Sequence, residues 1–361
     1  MELTRRRGLM IALIAVNIGI PVVFLAVRLI THAVAPKSYG PAGGYSIFTG
    51  LVPGFMYIFG FIIAAVVGCT AGSVDLSEGM FRHLVITGRS RLALYLARIP
   101  AGLAIVISMV AIGYMIVCAV CVFAAPTQLN YDGVNVPQGL SRPAFDNWAA
   151  EHADKVICDF NYNGPTPPPN VPCGPGGGQS GIIRIKGGPQ GTVTPVRTTP
   201  AELRQFAVTM ANENYSDYHA TFLVPSNTLM TQVGLWIALE ASIGFIVGLG
   251  LSSLMGQRTV PVILLIVLEL ILTPLFSRHI ITHLLNVERG IVGVAMVHIE
   301  PGGLPSPFGG GGGGGPFGGG GGGLGGSGLI PESTLVASLV IIGWIVFWTA
   351  IGAWRMMRRD A

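Results

Sequence analysis

Few residues in this chain are equipped for chemistry. Glu240 and Glu269 stand inside long apolar runs, where an ionisable group is costly and by default marks a polar path or a buried partner. A substrate or proton pathway accounts for them, and so does pairing of helices within a dimer. Asn17, in an earlier apolar run, suits an interhelical hydrogen bond. His279 and His283 are spaced i, i+4 with Glu288 nearby, but no His-Glu-x-x-His pattern completes them, so interfacial residues describe them better than metal ligands. Cys118-x-x-Cys121 has redox spacing, yet Cys69, Cys118 and Cys121 all lie in apolar stretches and are expected to be packing residues. Cys158 and Cys173 flank a segment with little core of its own, and a disulfide between them closes a loop of about 15 residues, for roughly 3 kcal/mol in the chain-entropy picture. No Gly-x4-Gly-Lys-Ser/Thr occurs, and Lys37, Lys155 and Lys186 are the only lysines. No catalytic constellation, metal site or cofactor is expected, and the Asn214-Tyr-Ser216 sequon reads as a chance match.

These residues must be positioned by a membrane. Of 361 residues, 51% are hydrophobic and 11% charged, against about a quarter charged in soluble domains. Six runs are long enough to cross a bilayer as helices: Gly8–Leu29, Leu51–Cys69, Ile99–Phe123, Met230–Met255, Val260–Phe276 and Thr334–Trp354. They are continuous rather than alternating, which excludes barrel strands. The first lacks a cleavage site and reads as a retained anchor.

Lys and Arg placement orients the chain. With the N-terminus inside, Arg5, Arg6, Arg7, Arg82, Arg89, Arg91, Arg98, Arg258, Arg355, Arg358 and Arg359 face the cytoplasm, which is 11 of 21 basic residues. The first outer loop, His32 to Gly50, holds only Lys37. Ala124 to Leu229 is too polar to span and too long for a bare connector. It contains helix signals at Ser141-Arg-Pro143 and at the capping box Thr199-Pro-Ala-Glu202, the second helix ending near Asn214, and strand-like "GIIRIKGG" and "HATFLV". The expected fold is therefore an all-α polytopic membrane protein of six transmembrane helices with both termini cytoplasmic. A small α+β extracytoplasmic insertion lies between helices three and four. The divisions fall at 1–123, 124–229, 230–276, 277–333 and 334–361. Within 277–333, Arg278 to His298 either lies in the interface or dips back into the bilayer, and a Gly-rich tether follows.

The stretch Asp75 to Pro100 concentrates arginine on the inner face. Asp75-x-x-Glu78 has the form of a helix start. Leu76, Met80, Phe81, Leu84 and Val85 then fall on one face, and Gly88 suits a C-cap. Ser90 restarts a helix whose Arg91 and Arg98, seven apart, share a side. Positive-inside anchoring would need the charge but not this design, and attraction of anionic lipids by the arginines stands as a further reading.

The block Cys69 to Leu103 resembles the conserved segment of ABC-2 type transporter permeases. The matching positions are Glu78-Gly79, Arg82, Leu84-Val85, Ser90-Arg91 and the basic Arg98. The family commonly has Pro before Ser/Thr-Arg and Lys at the last position; Arg89 and Arg98 stand there in this sequence, as expected of an actinobacterial branch. The resemblance covers about 35 residues, and the long insertion after the third span lies outside the family's compact pattern.

That resemblance implies a permease subunit of an ATP-binding cassette exporter in the bacterial cytoplasmic membrane. It implies partners too: a separate ATPase subunit, a second identical or related permease, and membrane lipid, with no nucleic acid. Asp75, Glu78, Met80, Phe81, Arg82, Leu84, Arg89, Ser90, Arg91 and Arg98 would form the coupling element against the ATPase, and the chain itself would not be an enzyme. Two alternatives stand beside it: a membrane-anchored sensor or assembly protein whose outer domain binds a ligand, and a secondary transporter driven through Glu240 or Glu269.

Overall fold

The computed structural model describes residues 7–34, 42–77, 90–127, 129–131, 134–153, 199–277, 285–302, 304 and 332–358. The centre of the expected coupling element (Glu78, Met80, Phe81, Arg82, Leu84, Arg89), both cysteines of the expected disulfide (Cys158, Cys173), His279, His283, "GIIRIKGG" and the Gly-rich tract lie outside them.

Among the described residues, six helices are long and apolar enough to cross a membrane: Ala15–Val34, Tyr45–Ser73, Arg91–Phe123, Asn227–Met255, Thr259–Phe276 and Thr334–Arg358. The first combines a π-helical turn at Ala15–Gly19 with α2 (Ile20–Val34), and α1 (Arg7–Ile14) leads into it. The second comprises α3 (Tyr45–Leu51), a π turn at Val52–Tyr57, and α4 (Ile58–Ser77). The third is α5 (Arg91–Phe123). Between the third and fourth spans come β1 (Leu129–Tyr131), β2 (Val134–Val136), α6 (Arg142–Glu151) and α7 (Pro200–Thr221). The fourth is α8 (Asn227–Met255). The fifth joins α9 (Thr259–Val267), a π turn at Leu268–Leu272 and α10 (Thr273–Ser277). Two short helices, α11 (Leu285–Arg289) and α12 (Val292–His298), precede the sixth span, α13 (Thr334–Arg358). Large apolar side chains such as Phe24, Ile107, Leu339 and Phe347 point outward, an arrangement that lipid tolerates and water does not.

Chain contacts separate two compact units. The first unit (Met1–Val27, Ile47–Val120, Pro225–Ala361) is organised on α4 and α8. In lipid no hydrophobic force drives helices together, so small residues that permit close backbone approach take its place. Gly60, Ala64, Gly68 and Gly72 recur every four residues along α4, and Gly244, Gly248 and Ser252 do so along α8. A Cβ at Gly244 would stand 2.7 Å from the Phe61 carbonyl oxygen, at Gly248 2.6 Å from that of Ala65, and at Gly72 2.7 Å from that of Leu249. One at Gly68 would overlap the Phe245 carbonyl. These contacts advance together along both chains, so α4 and α8 run parallel. On the other side of α8, Gly250 meets the Trp348 carbonyl of α13, and Gly352 of α13 meets the Tyr95 hydroxyl. Gly256, at φ 74°, ends α8 in the left-handed conformation, its N–H donating 2.8 Å to the Ser252 carbonyl.

The second unit (Arg28–Ser46, Cys121–Val224) packs β1 and β2, paired antiparallel with Leu129 opposite Val136, with α6 and α7. Ala207, Met210, Ala211 and Tyr218 form one buried stripe of α7, continued by Phe222 just past its end, against Phe145 and Ala149 of α6. The Tyr218 ring stacks on Phe145 with centroids 4.2 Å apart. Its hydroxyl donates 2.7 Å to the Pro137 carbonyl and accepts 3.0 Å from the Leu140 N–H. The expected capping box forms: the Thr199 N–H donates 2.7 Å to the Glu202 carboxylate, and the Glu202 N–H donates 3.3 Å to the Thr199 hydroxyl. The Thr199 N–H and the Thr199 hydroxyl, which donates 2.8 Å to the same oxygen, hold the Glu202 carboxyl below its usual range. α7 runs to Thr221 rather than stopping near Asn214, and "HATFLV" is helix end and exit rather than a strand, because Tyr218 and Phe222 continue the helical stripe. Asn214 is buried, its side chain donating 2.8 Å to the Met210 carbonyl, so the sequon is closed to modification. Gly44 donates to the Cys121 carbonyl and Tyr45 to that of Leu223, both at 2.8 Å. The start of the second span, the end of the third and the approach to the fourth are thereby joined.

Replacing Gly248 by Leu forces α4 and α8 apart and is expected to lower the thermal unfolding temperature in detergent, a cost of about 1–3 kcal/mol or more. Gly343→Leu, at a position where a Cβ meets nothing within 4 Å, is the control and should leave the transition unchanged.

Candidate functional site

Proline shapes the polar positions of the spans. A proline within a helix lacks an N–H and collides with the carbonyl four residues earlier, so the helix must widen or kink. Pro21 follows the π turn that contains Asn17, Pro274 follows the one that contains Glu269, and Pro53 lies inside the one that ends at Tyr57. In the fifth span the Thr273 hydroxyl donates 3.0 Å to the Leu268 carbonyl, five residues back. Such π turns recur at functional sites because they re-aim single side chains.

Two of the three re-aimed residues converge on α8. Glu240, near the middle of α8, and Glu269 are both wholly buried, and neither carboxyl closes a hydrogen bond of ordinary geometry. Tyr57 interacts electrostatically with Glu240, Glu269 and Glu300, most strongly with Glu240. Its ring stacks on Trp236, one turn before Glu240, at 4.5 Å and 16°. Trp236 in turn donates 3.0 Å through its indole to the Met296 carbonyl near the end of α12. α12 is seated deeply: Val292 to Val297 are buried, and a Cβ at Gly293 would meet Thr273. Trp344 of α13 holds the other end of the insertion by donating 2.8 Å to the Gly290 carbonyl. His298 donates 2.8 Å from Nδ1 to the Val294 carbonyl and lies 3.6 Å from the Glu332 carboxylate. Arg278–His298 was expected to lie in the interface or dip back; its described part is two short helices, of which α12 is buried while Asn286 and Val287 of α11 are exposed.

The other expected residues fall elsewhere. Asn17 is buried, with its backbone carbonyl against Gly113 of α5, and its side-chain nitrogen makes no hydrogen bond, so the expected interhelical bond is not seen from that atom. Asp75 lies within α4, which runs unbroken to Ser77; it does not begin a separate helix, because the apolar helix of the second span continues through it. Ser90 does begin one: its hydroxyl accepts 3.2 Å from the Ala93 N–H at the head of α5. Arg91 is half-buried, and Arg98 donates 3.3 Å to the Ala71 carbonyl of α4. Cys69, Cys118 and Cys121 are unbridged, and Cys69 and Cys121 are buried. Tyr57, Trp236, Thr273 and Glu300 were missed in the sequence; Pro53, Pro274 and the i, i+4 spacing of Trp236 and Glu240 were the available signals. An apolar groove of about 480 Å³ lies apart from the carboxyls, lined by Ile107, Val110, Tyr114, Met230, Gly234 and Leu235.

Glu300 follows α12, outside the spans. Burial lifts its carboxyl from the ordinary 4.5 to about 8, and Glu332 is raised by burial against the opposing pull of His298 and Arg289. The fold therefore holds Glu300 neutral. Its contribution to stability is complete below the ordinary value and is lost as pH rises through about 8, by up to ~1.4 kcal/mol per pH unit. Glu300→Gln should flatten the fall in unfolding temperature between pH 4.5 and 8, measured as thermal melts across that range; an unchanged slope would place the pH dependence on other groups. Comparison of the chain with protein-family models, with curated proteins and with solved structures returns no match.

Proposed function

We propose that this chain is the membrane-spanning permease subunit of an ATP-binding cassette exporter, driven by an ATPase on a separate polypeptide. The observation that carries this reading is the bond from Arg98 to the Ala71 carbonyl. It cross-links the ends of α4 and α5 on either side of residues 78–89, the segment that resembles an ABC-2 coupling element. A push on that segment then moves two spans as one body, which is what a lever for another subunit's ATP requires. Ser90, capping α5, fixes where the rigid part begins.

In this reading both termini and residues 78–89 face the cytoplasm, and the unit around β1, β2, α6 and α7 lies outside. The parallel course of α4 and α8 supports that sidedness, since the segments preceding both spans then share a face. Two copies, identical or related, enclose the path, and the apolar groove beside α5 and α8 suits a hydrophobic passenger. Arg82, Arg89 and Arg91 contact the ATPase or lipid headgroups, and no chemistry is done on the passenger.

The test is whether an ATP-binding protein is encoded beside this chain and whether the two co-purify. Met80→Asp combined with Arg82→Glu should abolish association and stimulated ATP hydrolysis while leaving the melting transition in place. Retained association removes the coupling role, and activity without any ATPase favours the sensor or ion-driven alternatives.

A further inference from the structure

Both oxygens of Glu240 and both of Glu269 are buried and close no hydrogen bond of ordinary geometry. The two groups interact electrostatically across the fourth and fifth spans. Carboxylates at this depth with so little compensation are too costly to persist charged, so something must occupy them. Among the described residues, the polar side chains that act on this pair are oxygens, the Tyr57 hydroxyl and the Thr273 hydroxyl beside Glu269, and Glu300 acts on Tyr57 in turn. Oxygen-only surroundings suit hard cations and protons. A divalent cation takes about six or more oxygens at short range, and among the described residues no three acidic, histidine or cysteine side chains are placed to hold a metal ion. A proton needs no coordination shell.

We propose that Glu240 and Glu269 form a proton-binding site inside the membrane, with Glu300 relaying protons between it and the aqueous side. In the loading step an O–H bond of hydronium breaks, leaving water, and the proton passes by way of the Glu300 carboxyl to form an O–H bond on one carboxylate oxygen, removing one negative charge; release reverses this, and no electrons are transferred. Among the described residues, the other titratable groups on the surrounding elements include Glu288 and Arg289 of α11, His298 at the end of α12, and Glu332 ahead of α13, with Cys69 and Asp75 on α4 and Arg355 and Arg358 at the end of α13. His298 and Arg289 act on Glu332. Since Glu240 and Glu269 belong to different spans, occupancy alters the repulsion between α8 and the fifth span. Through Trp236 and Thr273 it bears on the seating of α12. The inference does not rest on an ATPase partner.

The test is infrared difference spectroscopy of the purified full-length chain in lipid nanodiscs, with no ATPase present, titrated in pH and repeated in heavy water. Wild type should show a carbonyl-stretch band of protonated carboxyl groups that shifts in heavy water. Glu240→Gln and Glu269→Gln should each remove part of it. Glu300→Gln should keep the band but slow its shift after transfer to heavy water. Should Glu240→Gln fail to fold, Glu240→Asp should move the band without removing it. A band unchanged in Glu240→Gln with Glu269→Gln, or one abolished at fixed pH by adding sodium or potassium, overturns the proposal; the second result would identify a metal cation as the occupant.

Discussion

The close approach of α4 to α8 is the contact on which the rest of the transmembrane unit depends. In water, burying apolar surface would hold two such helices together with little regard to angle or register. In lipid that force is absent, and the gain comes from dispersion and from weak contacts of Cα–H groups with carbonyl oxygens, each about 0.5–1 kcal/mol. Such gains exist only at backbone-to-backbone distance, and Gly68, Gly72, Gly244 and Gly248 provide it. A side chain at any of these positions opens the whole seam. Once the two helices are locked, Gly250 sets where α13 lies on α8, and Phe245 fills the space left by Gly102 of α5.

The same seam fixes the polar site. Tyr57 and Trp236 stack only because α4 and α8 share one register, and Glu240 is one turn beyond Trp236. α12 is tied to that register by an indole on either side, Trp236 to Met296 and Trp344 to Gly290. A short helix of this length has no stability of its own; it is held by two indole donors and by the absence of a Cβ at Gly293. The carboxyl cluster is thus assembled by helix packing and not by local sequence, and its members come from the second, fourth and fifth spans and from the turn after α12.

That origin explains what could be read beforehand. Span existence was legible because a bilayer imposes a length and a composition that a window detects. Span ends were less so: the second begins at Tyr45 and α5 at Arg91, where polar or charged residues within the helix lower the window average but do not stop the helix. Caps were legible where they are local, as at Thr199-Pro-Ala-Glu202. The hairpin of β1 and β2 carries a local signal as well, Asp132-Gly133 between two paired triplets, and was overlooked among stronger features. Glu240 and Glu269 drew notice by cost alone, but nothing in either apolar run indicates that the other is its neighbour. The π turns stood in the sequence as Pro21, Pro53 and Pro274, yet a proline specifies only that a helix must yield, not which side chain the yielding will turn inward.

One further step connects the two ends of the second span. From Tyr57 to Ala71 the chain is helical almost throughout, which at about 1.5 Å per residue is on the order of 20 Å. At one end lies the carboxyl cluster and at the other the carbonyl that receives Arg98. Between them α4 is buttressed along most of its length by backbone contact with α8, so it cannot bend locally without breaking that seam. A displacement at the Arg98 end therefore arrives at Tyr57 as a tilt or slide of the whole helix. α8 either follows, carrying Glu240 and Trp236 with it, or holds, shearing Tyr57 across Trp236. In both cases the distances among Tyr57, Glu240 and Glu269 change together, since Glu269 is on a span that shares neither the seam nor the Arg98 link. The geometry thus makes the polar cluster the place where motion at the Arg98 end becomes a change in the environment of a buried charge.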